Sequence, residues 1–379
     1  MTSENLIYLD NAASTFPKPR KVLQAVIQSL QSNTSNPGRS GHILSEQAAE
    51  KVFNVRCTVG AYFGCDAEHV IFTQNATHAV NMLFKGLLQP GDHVIISNME
   101  HNCVLRPLEQ LKEKGISYTC FSAQNPIEQI EDIIQPKTRF IFLCHASNVT
   151  GQIIDIKKAA EIAHRHEVLF GIDASQSAGH LSYNLKQDKI DFLCTSGHKS
   201  LFGIQGSGLL LMRKDRDLDP LITGGTGVDS LSAVQPHILP EYLESGTINT
   251  PAIISLGAGI QYLQKKQEYI RKKTELLTEY LKENLQKIDG IKLYTSGENL
   301  IPTVSFAFRD IHSERIGEYL NQNKICVRGG YHCSALAHKT LQTEDTGLVR
   351  VSLSVFNQIE NIDKLCYYLK NTNFLKFTY

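Results

Sequence analysis

The sequence predicts an α/β protein: a large domain built on a mostly parallel sheet, and a smaller α+β domain. Three observations carry the prediction. Between about residue 90 and residue 215, short apolar runs alternate with helical stretches. The Gly-rich segment TGGTGVDS (223–230) and the residues up to about 250 carry no apolar periodicity and read as a loop. A long helical stretch from about Ile253 to Ile288 then leads into a second, shorter set of strands and helices. The composition allows two domains, because 379 residues, 42% of them apolar and 20% charged, can bury two cores and lack the signature of disorder.

After an extended opening, Val22, Leu23, Val26, Ile27 and Leu30 recur at helical spacing, as do Ala79, Val80, Leu83, Phe84 and Leu87; both sets predict core-facing helices. The runs HVIIS (93–97), ISYTCF (116–121), RFIFLCHAS (139–147), VLFGIDAS (168–175), IDFLCTSG (190–197) and SGLLLMRK (207–214) read as strands. A helix near Ile156 to His166 separates the third from the fourth. Continuous apolar runs of this kind fit strands buried on both faces, so helices must cover the sheet. Further on, TVSFAFRD (303–310), ICVRGG (325–330) and LVRVSLSVF (348–356) read as strands, with helices at about 312–323 and 358–371. No internal repeat, low-complexity tract or flexible linker interrupts the pattern. The large domain is expected over 16–255, and the small domain over 1–15 together with 256–379.

Lys plus Arg and Asp plus Glu number 38 each, so no net field favours nucleic acid or an acidic membrane surface, and a small molecule is the expected partner. The opening MTSENLIYLDNAAST lacks the basic-then-apolar pattern of a secretory signal, and no run reaches membrane-spanning length. A cytoplasmic protein is expected. The nine cysteines form no CxxC pair and no Cys/His cluster with zinc-like spacing, and an odd count cannot pair completely within one chain. Reduced thiols and no metal site are therefore expected.

In open α/β sheets, ligands bind at the carboxyl ends of the strands. Asn148, Asp173 and the SGHK segment each lie just past an apolar run. Lys199, in SGHK, follows a strand and precedes a Gly-rich loop; a partly desolvated amine there has a lowered pKa and suits Schiff-base chemistry near neutral pH. Pyridoxal phosphate needs an acidic partner for its ring nitrogen, and Asp173 is placed for it. The cofactor's phosphate needs N–H groups and hydroxyls at a helix start, and TQNATHAV supplies Thr77 just where the helix begins. Taken singly, Asp173 also reads as a turn residue and Thr77 as a helix cap.

The segments YLDNAAST (8–15), DASQ (173–176), SGHK (196–199), ESGTINTP (244–251) and RGGYHC (328–333), in this order from about residue 7 to 370, together resemble aminotransferase class V enzymes, and within them group II cysteine desulfurases and the related selenocysteine lyases. The resemblance implies a fold-type I pyridoxal-phosphate transferase in which Lys199 binds the cofactor and Asp173 pairs with its pyridine nitrogen. It implies that Gln176 hydrogen-bonds the phenolic oxygen, that His101 stacks on the ring and moves protons, and that Ala76, Thr77, Ser196 and His198 hold the phosphate. Thr247 is similar to a phosphate contact donated by the other subunit, which implies a homodimer. Asn148, Arg350 and Arg328 resemble groups that hold the substrate carboxylate, where a guanidinium can bind in two-pronged fashion. Read without the resemblance, His101 is a surface histidine, Arg350 the partner of a structural carboxylate, and Asn148 the start of a turn before Gly151.

Cys333 decides between reactions. It lies in RGGYHCSALAH, on an expected loop joining two strands of the small domain, and Arg328, His332 and His338 are basic or potentially so, which favours the thiolate. The other eight cysteines read as buried small hydrophobes. The reading is a cysteine desulfurase that converts L-cysteine to L-alanine with a persulfide on Cys333, which then passes to a sulfur-acceptor protein. The alternatives are a selenocysteine lyase acting on L-selenocysteine, or another class V enzyme such as a C–S lyase or an aminotransferase. Tyr331 and the SALAH run depart from the commonest group II pattern and leave the acceptor and the sulfur-versus-selenium preference open.

Overall fold

The structure is a computed structural model and describes residues 6–32, 35–38 and 40–371. In chain order the elements are β1 (Ile7–Tyr8), α1 (Arg20–Ser32), α2 (Ile43–Phe63), β2 (Val70–Thr73), α3 (Ala76–Leu87), β3 (His93–Ser97), α4 (Asn102–Lys112), β4 (Ser117–Phe121), β5 (Thr138–Cys144), α5 (Ile156–Arg165), β6 (Leu169–Asp173), β7 (Phe192–Ser196) and β8 (Gly208–Met212). They continue with α6 (Thr250–Gln286), β9 (Ile291–Leu293), β10 (Thr303–Phe308), α7 (Ser313–Gln322), β11 (Ile325–Cys326), α8 (Ala335–Leu341), β12 (Val349–Ser352) and α9 (Ile359–Lys370). The chain divides into two compact units: a larger one of residues 18–145 and 154–267, and a smaller one of 1–17, 146–153 and 268–379.

The larger unit carries a seven-stranded sheet in the order β2-β8-β7-β6-β5-β3-β4. Every neighbouring pair is parallel except those made by β8, which runs antiparallel to both β2 and β7. β3, β6, β7 and β8 are buried at every residue, whereas the edge strand β4 is mostly half-exposed. That burial pattern is why their sequences read as unbroken apolar runs. Phe84 of α3 meets Phe142 of β5 edge-on with ring centroids 5.0 Å apart, and each such fully buried side chain contributes about 1.5–3 kcal/mol. The sequence pattern did not reveal β2, whose four buried residues leave no alternation to read. Nor did it reveal α2, whose buried face mixes Ser45 and Arg56 with Ala48, Val52 and Val59.

Helix α1 forms where the spacing predicts it, but its apolar stripe does not face the core. Only Val22 of the five is buried, and Leu23, Ile27 and Leu30 are 48%, 54% and 57% exposed. Periodicity reports that one helix face is apolar; it does not say what covers that face.

The register places the site. Thr73 of β2 and Ser196 of β7 both pair with Gly208, the first residue of β8, so the chain leaving β2 and the chain leaving β7 emerge at one edge of the sheet. A Cβ at Gly208 would lie 2.6 Å from the Asn75 backbone, so only glycine lets the start of α3 close over this edge.

In the smaller unit β12-β10-β9 form an antiparallel sheet, and β1 pairs in parallel with β11. Leu9, Leu281, Phe306, Leu320, Val351 and Leu365 belong to its core. Residues 146–153 join this unit through a turn at Gly151, whose φ of +76° and whose closeness to Thr303 O, 2.5 Å from an added Cβ, both demand glycine. Among the described residues, no helix is long and apolar enough to cross a membrane.

Candidate active site

The larger unit gathers its candidate residues at strand ends and helix starts. Asp173 closes β6 and is buried; its Oδ1 accepts the Ser175 N–H at 2.8 Å and its Oδ2 accepts the Cys103 thiol at 3.6 Å. Gln176 is buried on the turn that follows. Lys199 sits half-buried on the turn after β7, which is closed by N–H donation from Phe202 to Lys199 O at 2.9 Å and from Gly203 to Gly197 O at 2.8 Å. The Ala76 N–H donates to Ser196 Oγ at 3.1 Å, joining the start of α3 to the end of β7. This juxtaposes a helix N-terminus and a buried hydroxyl, a combination suited to an anion. Asn75, not Thr77, caps the helix, its Oδ1 accepting the His78 N–H at 2.9 Å; Thr77 lies in the first turn.

His101 is the N-cap of α4, and its Nδ1 accepts the Cys103 N–H at 3.0 Å. His198 has its pKa driven down to about 4 by burial, and then by the Lys199 and Lys18 charges, so its imidazole is neutral at neutral pH. Lys18 Nζ donates to the His198 carbonyl at 2.6 Å. Thr247 is exposed, accepts from Asn36 Nδ2 at 3.3 Å, and lines with His198, Asn75 and His78 a cavity of about 490 Å³. Its segment is anchored by Glu244, which accepts from Arg56 Nη1 and Nη2 at 2.8 Å each and from the Phe72 N–H at 2.5 Å.

Three residues here escaped the sequence reading. Arg56 and Glu244 form a buried ion pair whose members lie far apart in sequence. Glu100, immediately before His101, is fully buried; its Oε1 accepts from Ser97 N, Ser97 Oγ and Cys144 N at 3.2, 2.5 and 2.7 Å. Burial first, and then the charge of Asp173, raise its pKa to about 8 against those hydrogen bonds. The only signal was an acid set directly against a predicted site histidine.

The smaller unit gathers a second set. Cys333 is exposed on a turn with φ of 57°, and the Arg328 guanidinium reaches its Sγ at 3.6 Å. The turn leads into α8, with Ser334 as N-cap, rather than directly into a strand. Asn148 brackets the cysteine: its Nδ2 donates to His332 O at 2.8 Å and its Oδ1 accepts from Ser334 Oγ at 2.8 Å. Arg350 is 1% exposed and donates to Asp10 Oδ1 at 2.9 Å and to Asn148 O at 3.1 Å, while its Nε finds no partner. Asn148 is thus more than a turn residue, and Arg350 does have a carboxylate partner, one supplied by the YLDNAAST segment.

Two expectations about the cysteine are corrected. His332 and His338 do not supply positive charge: burial drives His332 down to about 2 and lowers His338 as well, leaving Arg328 as the cation in contact with the sulfur. The other cysteines are not all buried either, since Cys57 and Cys120 are exposed and Cys326 is half-buried; exposure alone does not single out Cys333. All nine thiols are free.

Comparison with known proteins covers both units. The sequence profile of the aminotransferase class-V family matches residues 7–365. A probable cysteine desulfurase of Methanothermobacter thermautotrophicus is 32% identical over 372 residues, spanning 95% of this chain and 92% of the relative. One of Halalkalibacterium halodurans is 31% identical over 97% of this chain and 93% of its own length. Among solved structures, the apo cysteine desulfurase of Thermococcus onnurineus superimposes with a TM-score of 0.90 at 27% identity, over 96% of this chain and 94% of that one. A cysteine desulfurase of Escherichia coli, crystallised as its S-sulfonic acid, gives 0.86 at 26% identity, over 97% and 94%. With the profile running through both units and the fold shared from end to end, the chain belongs to the aminotransferase class V family.

Proposed function

We propose that this protein is a pyridoxal-phosphate-dependent cysteine desulfurase, active as a cytoplasmic homodimer, that converts L-cysteine to L-alanine and carries the sulfur on Cys333 to an acceptor protein. The observation that carries the reading is Cys333 itself: an exposed thiol held on a bracketed turn with a guanidinium at 3.6 Å, in a chain whose relatives are named cysteine desulfurases.

The donor set fits the cofactor. Asp173 offers a buried carboxyl for the pyridine nitrogen, Ala76 and Ser196 with Thr77 and His198 offer a helix start and hydroxyls for the phosphate, and Gln176 offers an amide for the phenolic oxygen. Ser175 Oγ, beside Asp173, is buried with no hydrogen-bond partner, as a group that awaits a ligand would be. Bound there, pyridoxal phosphate supplies an electron sink that makes the substrate's α-proton removable and its Cβ–S bond labile.

The protein's residues then divide the work. Lys199 Nζ holds the cofactor and moves the α-proton. Arg350, whose Nε is unmet, and Arg328 orient the substrate carboxylate, with Asn148 fixing the Arg350 fork through its carbonyl. The Cys333 thiolate attacks the substrate sulfur: an S–S bond forms as the Cβ–S bond breaks, and the remaining three carbons leave as alanine, with His101 as proton donor. Thr247, exposed on its own chain, is proposed to complete the phosphate site of the other subunit.

The test is alanine release from cysteine by the cofactor-loaded protein and its Cys333→Ala variant, with mass spectrometry of the Cys333 peptide. Alanine with an added sulfur on Cys333 in the wild type, and loss of both in the variant, is the expected result. Pyruvate and ammonia as products, or unchanged alanine release in the variant, would sink the proposal in favour of a lyase.

A further inference from the structure

We propose that Cys103 is a positioning residue that holds the Asp173 carboxyl in its cofactor-pairing orientation by donating its S–H to Oδ2 from the first turn of α4; the inference rests on the reading of Asp173 as the pyridine-nitrogen partner. The bland alternative is that Cys103 fills space, as most buried cysteines do.

Geometry favours the donor. Cys103 is 7% exposed and its Sγ lies 3.6 Å from Asp173 Oδ2, while Asp173 Oδ1 is taken by the Ser175 N–H at 2.8 Å. Each carboxyl oxygen is therefore tied to a different element, which fixes the plane of the group. The backbone N–H of the same cysteine donates to His101 Nδ1 at 3.0 Å, so one residue braces both the proposed ring-stacking histidine and the proposed nitrogen partner. The sulfur must be protonated to donate, and it is: burial, with the Asp173 charge behind it, holds this thiol well above its usual range, and Lys199 only partly opposes that.

The other titratable groups facing this carboxyl leave the task to Cys103. Glu100 from the turn before α4 is a neutral acid at neutral pH. Cys144 at the end of β5, Cys194 on β7 and Tyr183 are all held protonated, chiefly by burial. Cys144 donates instead to Met99 O at 3.4 Å, and Tyr183 to Ser177 Oγ at 2.5 Å.

A carboxyl oriented by a donor on one oxygen should keep its hold on the ring nitrogen, and with it the bound cofactor, to lower pH. The experiment follows the visible absorbance of the lysine-bound cofactor, without substrate, as pH is lowered in wild type, Cys103→Ala, Cys103→Val and Cys103→Ser. Alanine and valine both remove the donor but differ in volume, and serine restores one. The expected result is a midpoint of cofactor loss raised by about half a pH unit in both the alanine and valine variants, and near wild type in serine. An unmoved midpoint, or a shift in alanine that valine repairs, would make Cys103 a space-filler and overturn the proposal. Should the valine variant fail to fold, alanine against serine decides: equal midpoints overturn it. A wild-type protein with no such absorbance, or one whose absorbance survives Lys199→Ala, would instead defeat the cofactor assignment on which the proposal stands.

Discussion

The two sets of candidate residues are held by different means. In the larger unit, Asp173, Ser196, Lys199, Ala76 and His101 stand where strands end or helices begin, and backbone N–H groups fix several of them: Ser175 N on Asp173, Ala76 N on Ser196, Cys103 N on His101. In the smaller unit, Cys333 is held by side chains from segments far apart in sequence, Asn148 on one side and Arg328 on the other, with Arg350 tied to Asp10. Backbone placement survives most single substitutions, whereas a web of side chains has no redundancy. Chemistry in the larger unit should thus fail when the reacting group itself is removed, and chemistry in the smaller unit when any bracing group is removed.

The largest expected effect tests the first half of that contrast. Lys199→Ala should lower alanine formation by at least about 10⁴-fold and abolish the visible absorbance of the loaded protein, with the thermal melt of the apoprotein nearly unchanged. Retained turnover would break the comparison at its strongest point. Next comes stability: Arg56→Met leaves Glu244 buried without its cation, and a loss of about 3–5 kcal/mol is expected in denaturant unfolding. Because the Arg56 pair anchors the segment that bears Thr247, weaker cofactor retention should accompany the loss.

Asn148→Ala tests the second half. It strips partners from His332 O and Ser334 Oγ, both buried, and a cost of about 2–3 kcal/mol is expected. Persulfide formation on Cys333 should slow far more than the absorbance of the bound cofactor changes. Equal losses in both measurements would mean that the cysteine turn stands without its bracket.

The same contrast explains what could be read from the sequence. Strand ends are visible as the close of an apolar run, so Asp173, Lys199 and Asn148 could be placed at strand ends, and the order of motifs supplied a family. Contacts between remote side chains leave no local trace: Asp10 pairs with Arg350 across almost the whole chain, and Arg56 with Glu244 across much of the larger unit. Burial also inverted one inference, since His332 and His338 look basic in a string of letters and are neutral once desolvated. Helix α1 failed for a related reason, because its apolar spacing predicted the helix but not that Leu23, Ile27 and Leu30 would face outward.

The smallest expected effect concerns a buried acid for which the smaller unit has no counterpart among the described residues. There the buried charge, Arg350, is paired with Asp10; here Glu100 is fully buried, has no cation in hydrogen-bond contact, and is raised to about 8, mainly by desolvation. A carboxyl whose folded pKa exceeds its unfolded value favours the fold while protonated. Its contribution is complete below about pH 4.5 and is lost as pH rises toward about 8. Between pH 6 and pH 8 this group alone should therefore lower wild-type stability by about 2 kcal/mol. Glu100→Gln keeps the shape and the acceptor for Ser97 and Cys144 but cannot ionise, so its Tm should fall less across that range, and the two curves should diverge as pH rises. All other titrating groups are common to both proteins and cancel in the difference. Parallel curves would mean that Glu100 is already ionised in the fold, and that the larger unit supplies it with a compensation as effective as Asp10 gives Arg350.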